Sequence, residues 1–312
     1  MNMRVLIAEQ DHALYATLLR AAAPDLEVLT SGDSAELSRL AADCPVWLGQ
    51  PDLLATLLRQ GHQARWLQST WAGITPLLAD GLPRDYRLTR AVGIFGQVMA
   101  EYVLTYMLGH EREVLARLVS QVERKWDGRP GRSLEGRRVL IVGTGDIGQQ
   151  VAEFLVPFGV KLYGIASSAR EQAPFIEVAG LDELGRLVGE VDYVLNLLPD
   201  TPATRDIYDA SMFARFNPDA LFINAGRGVA VVDGDLVEAL KAGHLAGAVI
   251  DVCRQEPLPQ RHPFWTAWGL LLTGHSSAPT SPTAMVRLFV ENLRAFEAAG
   301  ELRGEVDFLR GY

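Results

Sequence analysis

Two hydrophobic rhythms alternate along this chain. Short continuous apolar runs predict strands buried on both faces, and between them apolar residues recur three and four positions apart, as on one face of a helix. Strand-like runs at 3–8, 26–29, 46–48 and 66–68 are separated by helical stretches from about Asp11, with Leu14, Leu18 and Leu19 on one face, and at 35–42 and 51–60. That pace predicts a parallel sheet with helical crossovers. From 96 to about 126 the character changes: Val98, Tyr102, Tyr106, Leu108, Leu115, Leu118 and Val122 predict one or two long helices, ended by a Gly, Pro and Arg segment at 127–132. Their apolar face has two candidate partners, the second domain or a second copy of the chain, since a helix with more than one apolar stripe needs more than one neighbour. Strand-like runs then return at 139–142, 160–165, 191–197, 220–224, 246–250 and 270–272, and a last helix covers 283–299. The fold class is α/β, with doubly wound parallel sheets.

The run Val139, Leu140, Ile141, Val142 passes directly into Gly143, Thr144, Gly145, Asp146, Ile147, Gly148, and Val151, Ala152, Leu155 and Val156 follow at helical spacing. Glycines at a strand-to-helix junction are the dinucleotide fingerprint: the first permits a tight turn, the second lets backbone approach a pyrophosphate, the third lets helix and strand pack closely. The helix N-terminus then offers unpaired N–H groups and a positive dipole end to the phosphates. The first domain has no such turn, so no second nucleotide site is expected there. Two of its loops leave strand ends where ligands sit in open α/β sheets: 49–51, and 69–74 with Trp71, Ala72 and Gly73.

Composition narrows the function classes. The 312 residues allow about two domains, and 48% apolar content fills two ordinary cores. A net charge of −9, from 38 acidic and 29 basic residues, gives no footprint for nucleic acid or an anionic membrane. Residues 1–10 lack a signal-peptide pattern, and no apolar run approaches a membrane span, which predicts a cytoplasmic protein. Cys44 and Cys253, far apart, suggest two buried thiols and no metal centre.

Three polar residues each lie just beyond a predicted strand of the second domain: Arg227, Glu256 and His275. Loops at the carboxyl ends of parallel strands converge on the coenzyme crevice. Together the three suit reduction of a carbonyl in an anionic substrate. A guanidinium binds a carboxylate and polarises the neighbouring carbonyl oxygen. An imidazole hands that oxygen a proton as hydride reaches carbon, and a glutamate beside it favours the protonated ring.

With these motifs in order, the chain resembles the D-isomer-specific 2-hydroxyacid dehydrogenase family, and within it the glyoxylate/hydroxypyruvate reductase A-like branch. The resemblance rests on 68–74 (Gln, Ser, Thr, Trp, Ala, Gly, Ile), 100–104, the glycine turn at 143–148, 198–202, INAGRG at 223–228, Glu256 to Pro259 followed by His262 to Trp265, and the terminal Arg310, Gly311, Tyr312. It implies two Rossmann-like or flavodoxin-like lobes with an interlobe active-site cleft. The substrate lobe would be 1–95 completed by 280–312, and the dinucleotide domain 96–279. It further implies Arg227, Glu256 and His275 as catalytic residues and backbone donors at Ala72 and Gly73 for the substrate carboxylate. Trp47 and Trp71 would wall the pocket. Coenzyme contacts are implied at Gly143, Gly145, Asp146, Ile147, Gly148, Ser167, Ser168, Arg170, Leu198, Pro199, Thr204, Ala225 and Asp251. The partner expected is a small 2-keto or 2-hydroxy acid, with a homodimer as the assembly.

The chain departs from the family pattern twice. Gly274 stands where the family usually has proline before its histidine, which frees that loop's backbone. The strand at 160–165 ends in Ala166, Ser167, Ser168, Ala169, Arg170, without the acidic residue that binds the ribose 2′-hydroxyl of NAD. NADP is therefore the expected coenzyme, with NAD possible. Two rival readings are a catalytically idle dinucleotide sensor on the same fold, whose mark would be a lost member of the Arg, Glu, His set, and a dehydrogenase for a bulkier acid. A formate dehydrogenase would carry Gln at the position of Glu256.

Overall fold

In the computed structural model, which describes residues 3–309 and residue 311, the apolar runs become two separate sheets in which every strand pairing is parallel. Arg310 and Tyr312 of the terminal motif lie outside the described residues. The chain forms two compact units, one running to Ile94 and resuming at Thr280, the other Phe95–Pro279.

The first unit holds β1 (Arg4–Ala8), α1 (His12–Ala22), β2 (Glu27–Thr30), α2 (Ser34–Ala41), β3 (Val46–Gly49), α3 (Pro51–Arg59), β4 (Trp66–Ser69) and β5 (Arg87–Thr89), in sheet order β2-β1-β3-β4-β5. The helix after β1 turns Tyr15, Ala16 and Leu19 inward and leaves Leu14 exposed, correcting the face expected from leucine spacing alone. The three-residue β5 was not foreseen, because Arg87, Leu88 and Thr89 give no apolar run.

The second unit opens with α4 (Gly96–Glu111) and α5 (Val114–Val122), separated by a break at Glu113, where φ is +51°. Its sheet is built from β6 (Arg138–Val142), β7 (Lys161–Ile165), β8 (Glu177–Ala179), β9 (Tyr193–Asn196), β10 (Leu221–Asn224), β11 (Gly247–Ile250) and β12 (Leu270–Leu272), ordered β12-β11-β10-β9-β6-β7-β8. Helices α6 (Asp146–Leu155), α7 (Leu184–Leu187), α8 (Ala210–Phe213) and α9 (Asp233–Ala242) complete it. The inner face of α4, Met99, Val103 and Met107, packs with Val139 and Ile141 of β6 and Val151, Ala152 and Leu155 of α6. At the end of α4, Glu111 is buried between the guanidinium groups of Arg132 (3.0 Å) and Arg137 (2.9 Å) and the Tyr193 hydroxyl (2.5 Å). Removing one partner of such a group is costly, so this cluster fixes the approach to β6.

The chain then returns to the first unit as α10 (Pro282–Glu297), which packs on α1. Trp66 stacks on Phe289 and Phe296 at ring distances of 5.1 and 5.3 Å. Asn292 donates to Gln68 (2.9 Å), and Arg87 forks onto Glu305 (2.6 and 2.7 Å). These contacts explain why the C-terminal segment belongs with β4 and β5. Among the described residues no helix is long and apolar enough to cross a membrane.

Candidate active site

In the second sheet the chain steps from β6 outward through β7 to β8, then returns to β9 on the other side of β6. Loops diverge at that reversal and leave a crevice beyond the strand ends. The glycine turn stands there, and its three glycines are required for different reasons. Gly143 has φ of +108°, and a Cβ on it would press on the Leu197 carbonyl at 3.1 Å. A Cβ on Gly148 would collide with the Gly143 carbonyl oxygen, so helix and turn touch there. Gly145 is the opposite case: exposed, with no atom within 4 Å of an added Cβ. It leaves open space at the N-cap of α6, where the positive end of the helix dipole would face a pyrophosphate. The residues present therefore fit a dinucleotide.

Arg227, Glu256 and His275 follow β10, β11 and β12 and meet on one side of this crevice. The His275 Nδ1 is 2.7 Å from Glu256 Oε2, while Glu256 Oε1 accepts the Cys253 N–H at 2.8 Å. The imidazole Nε2 makes no hydrogen bond among the described residues, and the side chain is about half exposed (47%). The hydrogen bond to Glu256 raises the His275 pKa above its ordinary value, against partial burial and the charge of Arg227. Partial burial pulls the Glu256 carboxyl upward, but the His275 and Cys253 hydrogen bonds outweigh it and hold the pKa below the ordinary range. Arg227 is half-buried, its guanidinium makes one hydrogen bond, to the Gly226 carbonyl (2.6 Å), and it forms no ion pair among the described residues. Burial lowers its pKa, with Glu256 and Asp200 opposing. A half-buried cation without an ionic partner is costly and is stabilised by an anionic ligand. Gly228 is required because a Cβ would collide with the backbone of Cys253 and Arg254, which brings the arginine and glutamate loops together.

In the first unit the loop after β4 is pinned at Thr70. Its N–H donates to Gly49 (2.9 Å), its hydroxyl to Glu9 (2.6 Å), and its carbonyl accepts from Thr280 (2.9 Å). Beyond it Trp71 is exposed, and the adjacent N–H groups of half-buried Ala72 and Gly73 donate to nothing among the described residues. Two consecutive free N–H groups form a ready cradle for a carboxylate. Trp47 does not share this place, which corrects its assignment to the pocket wall. It is fully buried between Val46 and Leu48 in the core of the unit, its indole N–H donating to the Cys44 carbonyl at 2.8 Å, and it has no surface to give a ligand.

Comparison with known proteins gives the family. Residues 104–277 match the family model described as D-isomer specific 2-hydroxyacid dehydrogenase, NAD binding domain. The chain belongs to the D-isomer specific 2-hydroxyacid dehydrogenases. It is 35% identical to a glyoxylate/hydroxypyruvate reductase A from Serratia proteamaculans over 69% of each protein. A D-isomer specific 2-hydroxyacid dehydrogenase family protein from Aeromonas salmonicida superposes with a TM-score of 0.92 at 37% identity, covering 99% of this chain and all of that one. An NADPH-dependent glyoxylate/hydroxypyruvate reductase from Sinorhizobium meliloti, solved with NADP and sulfate, gives 0.86 at 28% identity over the full length of both chains.

Within this dehydrogenase, two of the residues expected to touch coenzyme also hold its loops together. Asp251 is buried, and its carboxylate accepts from the Thr273 hydroxyl (2.6 Å) and the N–H groups of Ser276 (2.8 Å) and Ser277 (3.1 Å). Its carbonyl accepts the His275 N–H at 2.6 Å. Its side chain therefore builds the histidine loop. Thr204 likewise has a structural duty: its buried hydroxyl closes a turn onto the Pro199 carbonyl (2.6 Å). Leu198 and Ala225 are nearly buried and offer mainly backbone, whereas Pro199, Ser167 and Ser168 are exposed. Gly274 and His275 both adopt left-handed conformations, φ +70° and +56°; proline could not occupy position 274 in this turn. Cys253, expected to be buried, is only partly so, and burial still pushes its thiol up to about 11.

Sequence reasoning missed the buried pair Asn196 and Asn224, which close β9 and β10. The Asn196 amide donates to Asn224 Oδ1 (2.9 Å), and the Asn224 amide donates to the Arg227 carbonyl (3.3 Å). Both stand directly after apolar runs at carboxyl strand ends, a signal available in the sequence.

Proposed function

We propose that this dehydrogenase reduces small 2-keto acids of the glyoxylate or hydroxypyruvate type to D-2-hydroxy acids, with NADPH as the preferred coenzyme. The observation that carries the reading is the His275–Glu256 pair beside Arg227, a half-buried cation with no ionic partner among the described residues. In this reading Arg227 binds the substrate carboxylate and the carbonyl oxygen, and the Ala72 and Gly73 N–H groups bind carboxylate oxygen beside Trp71. The nicotinamide, when bound, supplies hydride to the carbonyl carbon. His275 donates the Nε2 proton to the oxygen that becomes the hydroxyl, and Glu256 stabilises the imidazolium before that transfer and holds the ring's orientation. Gly143, Gly145, Gly148, Asp146 and Ile147 hold the pyrophosphate, and Ser167, Ser168 and Arg170 take the 2′-phosphate, where no carboxylate repels it.

Purified protein should oxidise NADPH on addition of glyoxylate or hydroxypyruvate. His275→Ala should lower kcat by about 10² to 10⁴, with NADPH affinity nearly unchanged. NADPH binding without turnover on a broad 2-keto acid panel would instead favour a dinucleotide sensor.

The assembly proposed is a homodimer. No residue of α5 is buried, and Leu115, Leu118, Val119, Val122 and nearby Trp126 are exposed at 55–98%. A patch this apolar is rarely left in water, and a second copy presenting the same patch covers it. Leu118→Glu should shift sedimentation to the monomer; a wild-type monomer at micromolar concentration would exclude the dimer.

A further inference from the structure

The loop between β7 and β8 carries a side-chain bracket that the assignment of Arg170 does not explain. Arg170 is exposed, and a long exposed side chain ordinarily samples many rotamers, yet its guanidinium is fixed. Its Nε donates to Gln172 Oε1 (2.8 Å), and its Nη2 donates to the Thr144 hydroxyl (2.8 Å) in the glycine turn. Gln172 in turn donates through Nε2 to the Thr144 carbonyl (3.0 Å) and to Gln149 Oε1 (2.6 Å) on the first turn of α6. Gln149 closes the circuit by donating to the Ala173 carbonyl (2.7 Å). Every partner holding the guanidinium is neutral, and Arg170 forms no ion pair among the described residues. A carboxylate at 172 would hold the arginine more strongly but would neutralise it.

We propose that Gln172 is a positioning residue for coenzyme choice: it holds Arg170 against the glycine turn in the place a ribose 2′-phosphate requires, without cancelling its charge. This rests on the reading that Arg170 takes that phosphate. Pre-ordering a rotamer-rich side chain removes a cost that binding would otherwise carry, corresponding to about a two- to tenfold gain in affinity. NADH lacks the phosphate and gains nothing from the bracket. Nη1, which makes no hydrogen bond among the described residues, remains for the ligand.

Calorimetric titration with NADPH, NADH and adenosine 2′,5′-bisphosphate tests this without turnover. Gln172→Ala should weaken NADPH and the bisphosphate about two- to tenfold and leave NADH within twofold. Gln172→Glu, which pairs with Arg170 and faces the phosphate with like charge, should weaken the phosphorylated ligands about ten- to a hundredfold. In an Arg170→Ala background, Gln172→Ala should cause no further change in the ratio of NADPH to NADH affinity. Equal weakening of both coenzymes, no weakening, or full additivity of the two substitutions overturns the proposal. If Arg170→Ala leaves the ratio unchanged, the 2′-phosphate reading falls and this inference with it. If Arg170→Ala collapses the ratio while Gln172→Ala does not, only the role of Gln172 falls. Thermal melts of each variant separate a folding defect from a binding one.

Discussion

The two units solve the same topological problem with opposite chemistry. Each sheet reverses direction beside its first strand, between β1 and β3 in one unit and between β6 and β9 in the other. Each reversal puts a strand-to-helix turn at the mouth of a crevice. After β6 the turn is Gly143, Thr144, Gly145, with open space at Gly145. After β1 it is Glu9, Gln10, Asp11, and Glu9 is buried, accepting from Thr70 (2.6 Å) and the Gln10 N–H (3.0 Å). The first unit fills its own crevice with a carboxylate, where the second leaves room for someone else's phosphate. Topology therefore sets where a ligand can sit, and two or three residues decide whether one does. The units also differ in how they treat a strand-end glutamate. Burial raises the Glu9 pKa, with Asp11 adding to the rise and hydrogen bonds from Thr70, Gln10 and Gln50 opposing it. Glu256 is lowered because it has an imidazole to pair with.

Copying the acidic turn into the second unit should break this contrast most sharply. Gly145→Asp adds a like charge where the pyrophosphate would sit, and should weaken NADPH by about a hundredfold or more in a fluorescence titration. An added Cβ there meets no atom within 4 Å, so the melting temperature should hardly move. Gly145→Ala adds bulk without charge and should cost less. If Gly145→Asp bound NADPH normally, the coenzyme would not lie on this turn.

How much of the contrast was legible depended on how local its causes are. Strands β1, β3, β4, β6, β9, β10 and β11 were visible because burial on both faces writes a continuous apolar run. The short edge strands β5 and β8 were not, since Arg87–Thr89 and Glu177–Ala179 carry no such run. The glycine turn was legible because each glycine has a backbone reason. Trp47 and Trp71 look equally suited to a pocket in sequence, but one lies inside a buried strand and the other in a loop, a difference made by tertiary packing. The pairing of His275 with Glu256, 19 residues apart, follows from β11 and β12 being neighbours and from a left-handed turn at 274–275. Neither spacing nor composition reveals the Asp251 hydrogen bonds that hold that turn.

The contrast between the glutamates should appear next in the pH dependence of reduction. The proposed donor is protonated His275, so kcat/KM should fall as pH rises through its elevated pKa. Glu256→Gln replaces an acceptor that stabilises imidazolium with an amide that can donate to Nδ1, so the alkaline limb should move to lower pH. At pH 8 the loss should be about tenfold, and it should shrink as the pH is lowered. A limb that stays in place would remove Glu256 from the control of the imidazole.

The smallest effect belongs to Glu9, and its sign is opposite. A carboxyl whose folded pKa is raised binds its proton more tightly when folded, so its contribution to stability is fully present below the unfolded carboxyl value. That contribution is lost as pH rises through the folded pKa. At neutral pH the folded chain bears a buried carboxylate, or holds a proton the unfolded chain has released; either costs stability. Glu9→Gln removes the titration while keeping an acceptor for the Gln10 N–H and an amide that can bond the Thr70 hydroxyl. The variant should melt a few degrees higher than wild type at pH 8 and the two should converge near pH 3.5. A variant less stable than wild type at pH 8 would mean that the Glu9 carboxylate holds Thr70 more strongly than burial penalises it. Glu9 would then act in the first unit as Glu256 acts in the second, and the contrast between the two strand-end glutamates would fail.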